Sequence, residues 1–240
     1  MNTNDTTSNM FDIETYLNSL PEDTEEIDVS HRGINVIDVT KFKNLKILRC
    51  EFNQLISLHF NEKLEFLDCC QNQLTSLHLN EKLNIVYCSN NLLTSLHLND
   101  KLKILDCENN KLTSLHLNAN LQKLCCYNNQ LTSLHLNANL QKIYCYNNQL
   151  TSLQLNENKI LDFLYCNENP IYKIIDNNIK KIKILNNFCY LYYCLKFKKR
   201  FRDLLWVKIR EPKIREKYSH DYLVKNLHED TDLDELLASW

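Results

Sequence analysis

Between Leu45 and Cys166 the apolar and polar residues recur with a period of nineteen. In the unit Leu102–Asn120, L-K-I-L-D-C-E-N-N-K-L-T-S-L-H-L-N-A-N, apolar side chains occupy unit positions 1, 4, 6, 11, 14 and 16. Cys50, Cys69, Cys88, Cys107, Cys126 and Cys145 each follow the last by nineteen residues, and Cys166 follows after twenty-one. The same step carries Leu45, Leu64, Leu83, Leu102, Leu121, Leu140 and Leu161, and Asn53, Asn72, Asn91, Asn110, Asn129, Asn148 and Asn169. Around position 6 the alternation x-L-x-C-x has a period of two, which predicts a short strand with Leu and Cys on one face. A strand that returns at the same point of every turn must run parallel to its neighbour. The pattern therefore predicts stacked coils and a parallel sheet with a spacing of about 4.8 Å. No single coil can bury its apolar side alone, so stability is shared between neighbours.

The ends depart from this rule. Ile27, Val29, Ile34, Ile37 and Val39 form a degenerate first coil, with Arg32 in the asparagine slot. Before it, Phe11 to Leu20 reads as an amphipathic helix with Ile13, Tyr16, Leu17 and Leu20 on one side, ended by Pro21; residues 1–23 are expected to cap the stack. Residues 24–187 are expected to form about eight coils, regular from 45 to 166, fading through Ile174, Ile179, Ile182 and Ile184. From Phe188 the pattern turns helical, with Leu191, Tyr192, Leu195, Leu205 and Trp206 supplying an apolar stripe and Pro212 a break. Residues 188–240 are thus expected to be a helical C-terminal cap.

The unit matches L-x-x-L-x-[LC]-x-x-N-x-L, and the chain resembles the leucine-rich-repeat family, in its short-repeat form. The resemblance implies an α/β-class repeat solenoid with a parallel sheet on its concave face and a protein partner bound there. Nineteen residues fall below the family's usual 20 to 29, which leaves room only for an extended or turn-like convex side. The run W-V-K-I-R-E-P-K-I from Trp206 to Ile214, with Tyr218, His220, Tyr222-Leu223 and the ending L-D-E-L-L-A-S-W, resembles a C-terminal segment of giant-virus, mimivirus-like proteins. That second resemblance implies a viral protein acting on host proteins in the host cytoplasm.

Composition narrows the function classes. Of 240 residues, 44% are hydrophobic and 24% charged, with a formal net charge of -2, so the charge balance gives no case for nucleic acid as the main partner. One glycine and three prolines disfavour an antiparallel sandwich of tight hairpins. The longest apolar run, Phe188 to Leu195, is too short to cross a bilayer of about 30 Å, so no membrane span is expected. The stretch MNTNDTTSNMFDIETYL has neither a basic nor an apolar leader region, and eleven cysteines without an export signal fit free thiols in the cytoplasm.

Each column has a chemical reading and a packing reading. The cysteines could form a metal or redox array, but thiols about 4.8 Å apart exceed disulfide reach, and a straight file cannot surround one zinc ion. Packing as small buried hydrophobes is expected instead. Cys70 and Cys125 occupy outward strand positions and are expected to be the most reactive of the thiols. The asparagine amides are expected to tie each coil to the next through backbone groups. His59, His78, His97, His116 and His135, followed by Gln154, should face solvent from the convex side. They could chelate Cu, Ni or Zn, or be a solvated ladder left by duplication.

Function must lie where coils differ, at the outward strand positions 3, 5 and 7. There the chain places Phe66, Asp68, Tyr87, Asp106, Lys123, Tyr127, Lys142, Tyr144, Tyr146 and Tyr165, acidic towards the N-terminal end and aromatic with lysines towards the other. A protein partner is expected on this set, since Tyr is enriched in binding hot spots, although Tyr also simply suits an exposed strand. No cofactor, metal or small-molecule substrate is expected. An alternative is nucleic-acid or anionic-surface binding by 196–206, where Lys196, Lys198, Lys199, Arg200 and Arg202 alternate with Phe197, Phe201 and Trp206. No phosphate loop, nucleophile elbow or H-E-x-x-H is present, and the only glycine is Gly33, so no enzyme is expected. Cys189 and Cys194 leave open a ubiquitin-ligase-like alternative, by analogy with bacterial ligases that fuse short leucine-rich repeats to a catalytic-cysteine domain.

Overall fold

A computed structural model describes residues 11–154, 158 and 160–175. The C-terminal cap 188–240, the basic-aromatic run 196–206, Cys189 and Cys194 lie outside the described residues.

Each coil contributes one three-residue strand to a parallel sheet of eight: β1 (Glu26–Asp28), β3 (Ile47–Arg49), β5 (Phe66–Asp68), β6 (Ile85–Tyr87), β7 (Ile104–Asp106), β8 (Lys123–Cys125), β10 (Lys142–Tyr144) and β12 (Phe163–Tyr165). Register follows the repeat without slippage: Leu67 stands beside Val86, Val86 beside Leu105, and Leu105 beside Leu124. The central residue of every one of these strands is buried while its neighbours are more exposed, as a period of two requires. Leu102, Leu105, Cys107 and Leu112 of one coil are wholly buried, and so are their counterparts in the coils on either side. One continuous core results, in which each coil covers the next.

The other side of the coils is extended but sparsely paired. Parallel two-stranded ladders join β2 (Val36–Asp38) to β4 (Ser57–His59) and β9 (Ser133–His135) to β11 (Ser152–Gln154). No helix intervenes in the repeats among the described residues, in keeping with a nineteen-residue period.

The expected asparagine ties are present. In Asn110, Nδ2 donates to the carbonyls of Cys88 (3.0 Å), Cys107 (3.2 Å) and Glu108 (3.1 Å), and Oδ1 accepts the Leu93 N–H at 2.9 Å. Asn72, Asn91, Asn129 and Asn148 repeat this pattern.

A second asparagine column at unit position 17 was not anticipated. Asn99 donates to the carbonyls of Asn80 (2.6 Å) and Leu83 (3.0 Å) and accepts the N–H groups of Lys101 and Leu102 at 2.8 Å. Asn61, Asn118 and Asn158, all buried, make equivalent ties. Two columns of amides thus satisfy the backbone where each coil turns, at opposite ends of the strand segments.

The turn after each strand of the eight-stranded sheet carries one residue with a left-handed backbone: His31, Phe52, Gln71, Asn90, Asn109, Asn128, Asn147 and Glu168, with φ between 49° and 58°. Asparagine tolerates this region better than most residues, which accounts for its use in the middle coils and for a repeat that works almost without glycine. At the N-terminal end α1 (Ile13–Ser19) starts at Asp12, whose side chain accepts the Thr15 N–H at 3.0 Å. Leu17 is buried there, with Phe11, Ile13, Tyr16 and Leu20 packed against the core. A four-residue α2 (Tyr172–Ile175) follows the last coil. Among the described residues no helix is long and apolar enough to cross a membrane.

Candidate functional site

Because strand residues alternate, positions 3 and 5 of every coil project from the outer face of the eight-stranded sheet, and position 7 continues it at the strand exit. Strand pairing sets Lys123 beside Lys142, and Tyr144 beside Tyr165. It also sets Tyr87 between Asp68 and Asp106. All ten partner-surface candidates from the sequence therefore stand on one face, and all are at least partly exposed.

The C-terminal half of the face is an aromatic cluster. Tyr127 and Tyr146 stack with ring centroids 4.2 Å apart and planes within 12°. Tyr146 meets Tyr165 edge-on at 5.3 Å, and Tyr144 meets Phe163 at 4.9 Å. Phe163 and Tyr165 each keep 40% of their surface exposed. Lys123 and Lys142, both exposed, line one flank. The Tyr127 hydroxyl is held protonated by desolvation and by its hydrogen bonds with Glu108 and Tyr146.

The N-terminal half is acidic and less accommodating to charge. Burial raises Asp68 above the usual carboxylate range, and Glu51 adds to the effect. Burial, and then the Glu108 carboxylate, push Asp106 up to about 6. One carboxylate oxygen of Glu51 is buried without a hydrogen-bond partner. Phe66 and Tyr87 meet edge-on at 5.6 Å between these acids, with the Arg49 guanidinium 5.2 Å from the Phe66 ring centre. Arg49 itself pairs with Glu26.

The cysteine column is packing, as expected. Cys50, Cys69, Cys88, Cys107, Cys126 and Cys145 are free thiols at 0% exposure, and burial raises each well above the ordinary thiol range. Cys166 is buried in the same column. Cys70 and Cys125 are the least buried thiols among the described residues, as their outward positions imply, but their reactivity is damped. Both are only partly exposed, and burial pushes them up to about 12 and about 11, so little thiolate forms at neutral pH. Ser89 Oγ donates to Cys70 Sγ at 3.0 Å.

Unit position 8 adds side chains that the sequence reading passed over. His31 stacks on Phe52 at 4.4 Å, and the amides of Asn109, Asn128 and Asn147 are linked head to tail at 2.5 Å and 2.7 Å. Their only sequence signal was the nineteen-residue spacing of Asn90, Asn109, Asn128 and Asn147.

No protein-family profile matches the chain, and no curated protein is significantly similar to it. Solved structures do match. YopM, a leucine-rich effector protein from Yersinia pestis, is 25% identical with a TM-score of 0.52, over 60% of this chain and 49% of that one. The leucine-rich-repeat domain of APL1B is 20% identical with a TM-score of 0.53, over 60% and 47%. YopM from Yersinia enterocolitica WA-314 is 22% identical with a TM-score of 0.50, over 62% and 43%. The chain thus spans about half the length of these structures or less. Its parallel solenoid is the leucine-rich-repeat fold. The likenesses lend no support to the giant-virus resemblance of the C-terminal segment.

Proposed function

We propose that the protein is a non-catalytic interaction module that binds an extended segment of another protein along the outer face of its sheet, in a cytoplasmic setting. The observation that carries this reading is the stacked cluster of Tyr127, Tyr144, Tyr146, Phe163 and Tyr165 beside two lysines and one strand away from Asp106. Large rigid rings already packed against one another lose little entropy on binding and offer apolar area with polar tips. Fixed opposite charges at the two ends supply register.

Geometry defines the occupant. A chain running along the stack rises about 3.3 Å per residue against a coil spacing of about 4.8 Å. An acidic side chain seated between Lys123 and Lys142 therefore lies about two residues from a basic one seated over Asp106. Apolar residues of the segment cover the tyrosines. The Yersinia pestis neighbour is a leucine-rich effector protein, which is compatible with a binding role.

The test is selection from a displayed peptide library on the full chain, followed by fluorescence anisotropy of the selected peptides. Peptides with an acidic and a basic residue two or three positions apart should dominate. They should lose at least tenfold in affinity for a Tyr127→Ala/Tyr146→Ala variant, and selection on Lys123→Glu/Lys142→Glu should replace the acidic residue by a basic one while keeping the basic residue over Asp106. Selected peptides that bind all three proteins equally would overturn the reading.

A further inference from the structure

The far side of the coils carries a second organised surface, unrelated to the partner face. Position 15 of the first five regular coils places His59, His78, His97, His116 and His135 in one column, every one of them exposed. The residues before them, from Leu77 to Leu134, point into the core, so the imidazoles project away from it. Strand pairing holds Asp38 beside His59 at one end and Gln154 beside His135 at the other. His59 and His78 line one shallow groove of about 380 Å³ with Ser57 and Ser76. His97 and His116 line another of about 250 Å³ with Ser95 and Ser114.

We propose that adjacent imidazoles of this column chelate a divalent transition-metal ion of the nickel, copper or zinc class. Neutral imidazole is the side chain such ions prefer, at about 2.0 to 2.1 Å from nitrogen to metal. Two nitrogens bound to one ion lie about 3 Å apart, within reach of rings on coils spaced by about 4.8 Å. Alternate histidines stand about 9.6 Å apart with a side chain between them, too far for rings pointing the same way to share an ion. Among the described residues no three metal-ligating side chains converge on one point. Each site therefore has two protein ligands, and water fills the remaining positions. Chelation belongs to adjacency in the column, not to the number of histidines.

That distinction sets the experiment. Full-length protein without an affinity tag is titrated with Ni(II) by calorimetry, in three forms. His78→Gln/His116→Gln leaves three isolated histidines; His59→Gln/His135→Gln leaves three contiguous ones. Gln154 already holds the equivalent position in β11, so glutamine fits the fold, and thermal melting verifies it. The isolated set should bind at least tenfold more weakly than wild type, and the contiguous set within threefold of it. Equal affinity of the two variants, or wild-type binding no tighter than that of the isolated set, would overturn the proposal.

Discussion

Asn110 donates its side-chain amide to the carbonyl oxygen of Cys88, one coil earlier, at 3.0 Å. The same side chain accepts the Leu93 N–H and reaches the carbonyls of Cys107 and Glu108, so four backbone groups of two coils depend on it. Removing it orphans buried donors and acceptors that water cannot reach. Asn110→Ala is expected to cost about 1 to 3 kcal/mol in urea denaturation. Asn118→Ala, in the second column, should cost a similar amount because Asn118 is as buried and ties the carbonyls of Asn99 and Leu102. An unchanged unfolding midpoint for either variant would mean that the columns are not what joins the coils.

Gln71 has a φ of 55° and an exposed side chain. For a residue with a Cβ the left-handed region is costly, and no packing offsets the cost at an exposed position. Its backbone N–H donates to the Ser89 carbonyl at 2.9 Å, a bond that glycine keeps. Gln71→Gly should therefore stabilise the protein by up to about 1 kcal/mol, the left-handed penalty less glycine's extra unfolded-state entropy. A lower melting temperature would contradict it.

Cys107 is wholly buried, and its Sγ lies 3.5 Å from the Cys125 carbonyl oxygen. Serine keeps the shape but sets a shorter, more polar hydroxyl among hydrocarbon. Cys107→Ser is expected to cost about 1 to 3 kcal/mol, and Cys107→Ala less, because alanine leaves a small void but no unsatisfied hydroxyl. Thiol titration with a coloured disulfide reagent should proceed only on unfolding at this position; rapid reaction in the native state would show the column to be open.

The periodic columns were legible because burial and repetition select the same residues in every coil. Leu105, Cys107 and Asn110 could be placed from their spacing alone, and so could the common face of Tyr127, Tyr144 and Tyr146. What spacing could not supply is side-chain environment. Cys70 and Cys125 hold outward positions, yet neighbouring coils cover enough of them to raise their thiol pKa values. The second asparagine column was hidden for a different reason. Asn99 and Asn118 sit among exposed residues in the sequence, and only the turn of the coil shows that their amides face backbone carbonyls. Left-handed residues such as Phe52 and Gln71 carried no signal, since neither type favours that backbone.

Asp106 gives the partner face a pH dependence with a definite sign. Its carboxyl, desolvated and facing Glu108, titrates near 6 in the folded chain against an ordinary value of 3.8. The folded state therefore binds this proton more tightly than the unfolded state does. The stabilisation is complete below about pH 4 and is lost as pH rises through 6, which leaves a strained carboxylate at neutral pH. Lys123, in the next strand, offsets part of the strain. Asp106→Asn removes the charge and keeps the shape, so the variant should exceed wild type in stability at pH 7.5 by about 1 kcal/mol once solvent screening is allowed for. The difference should shrink towards zero as the pH falls to 4. Denaturant unfolding of both proteins across that range checks the sign: a gap that widens on acidification would show that Asp106 is stabilised as a carboxylate, and that the acidic half of the face is not waiting for a cation from its partner.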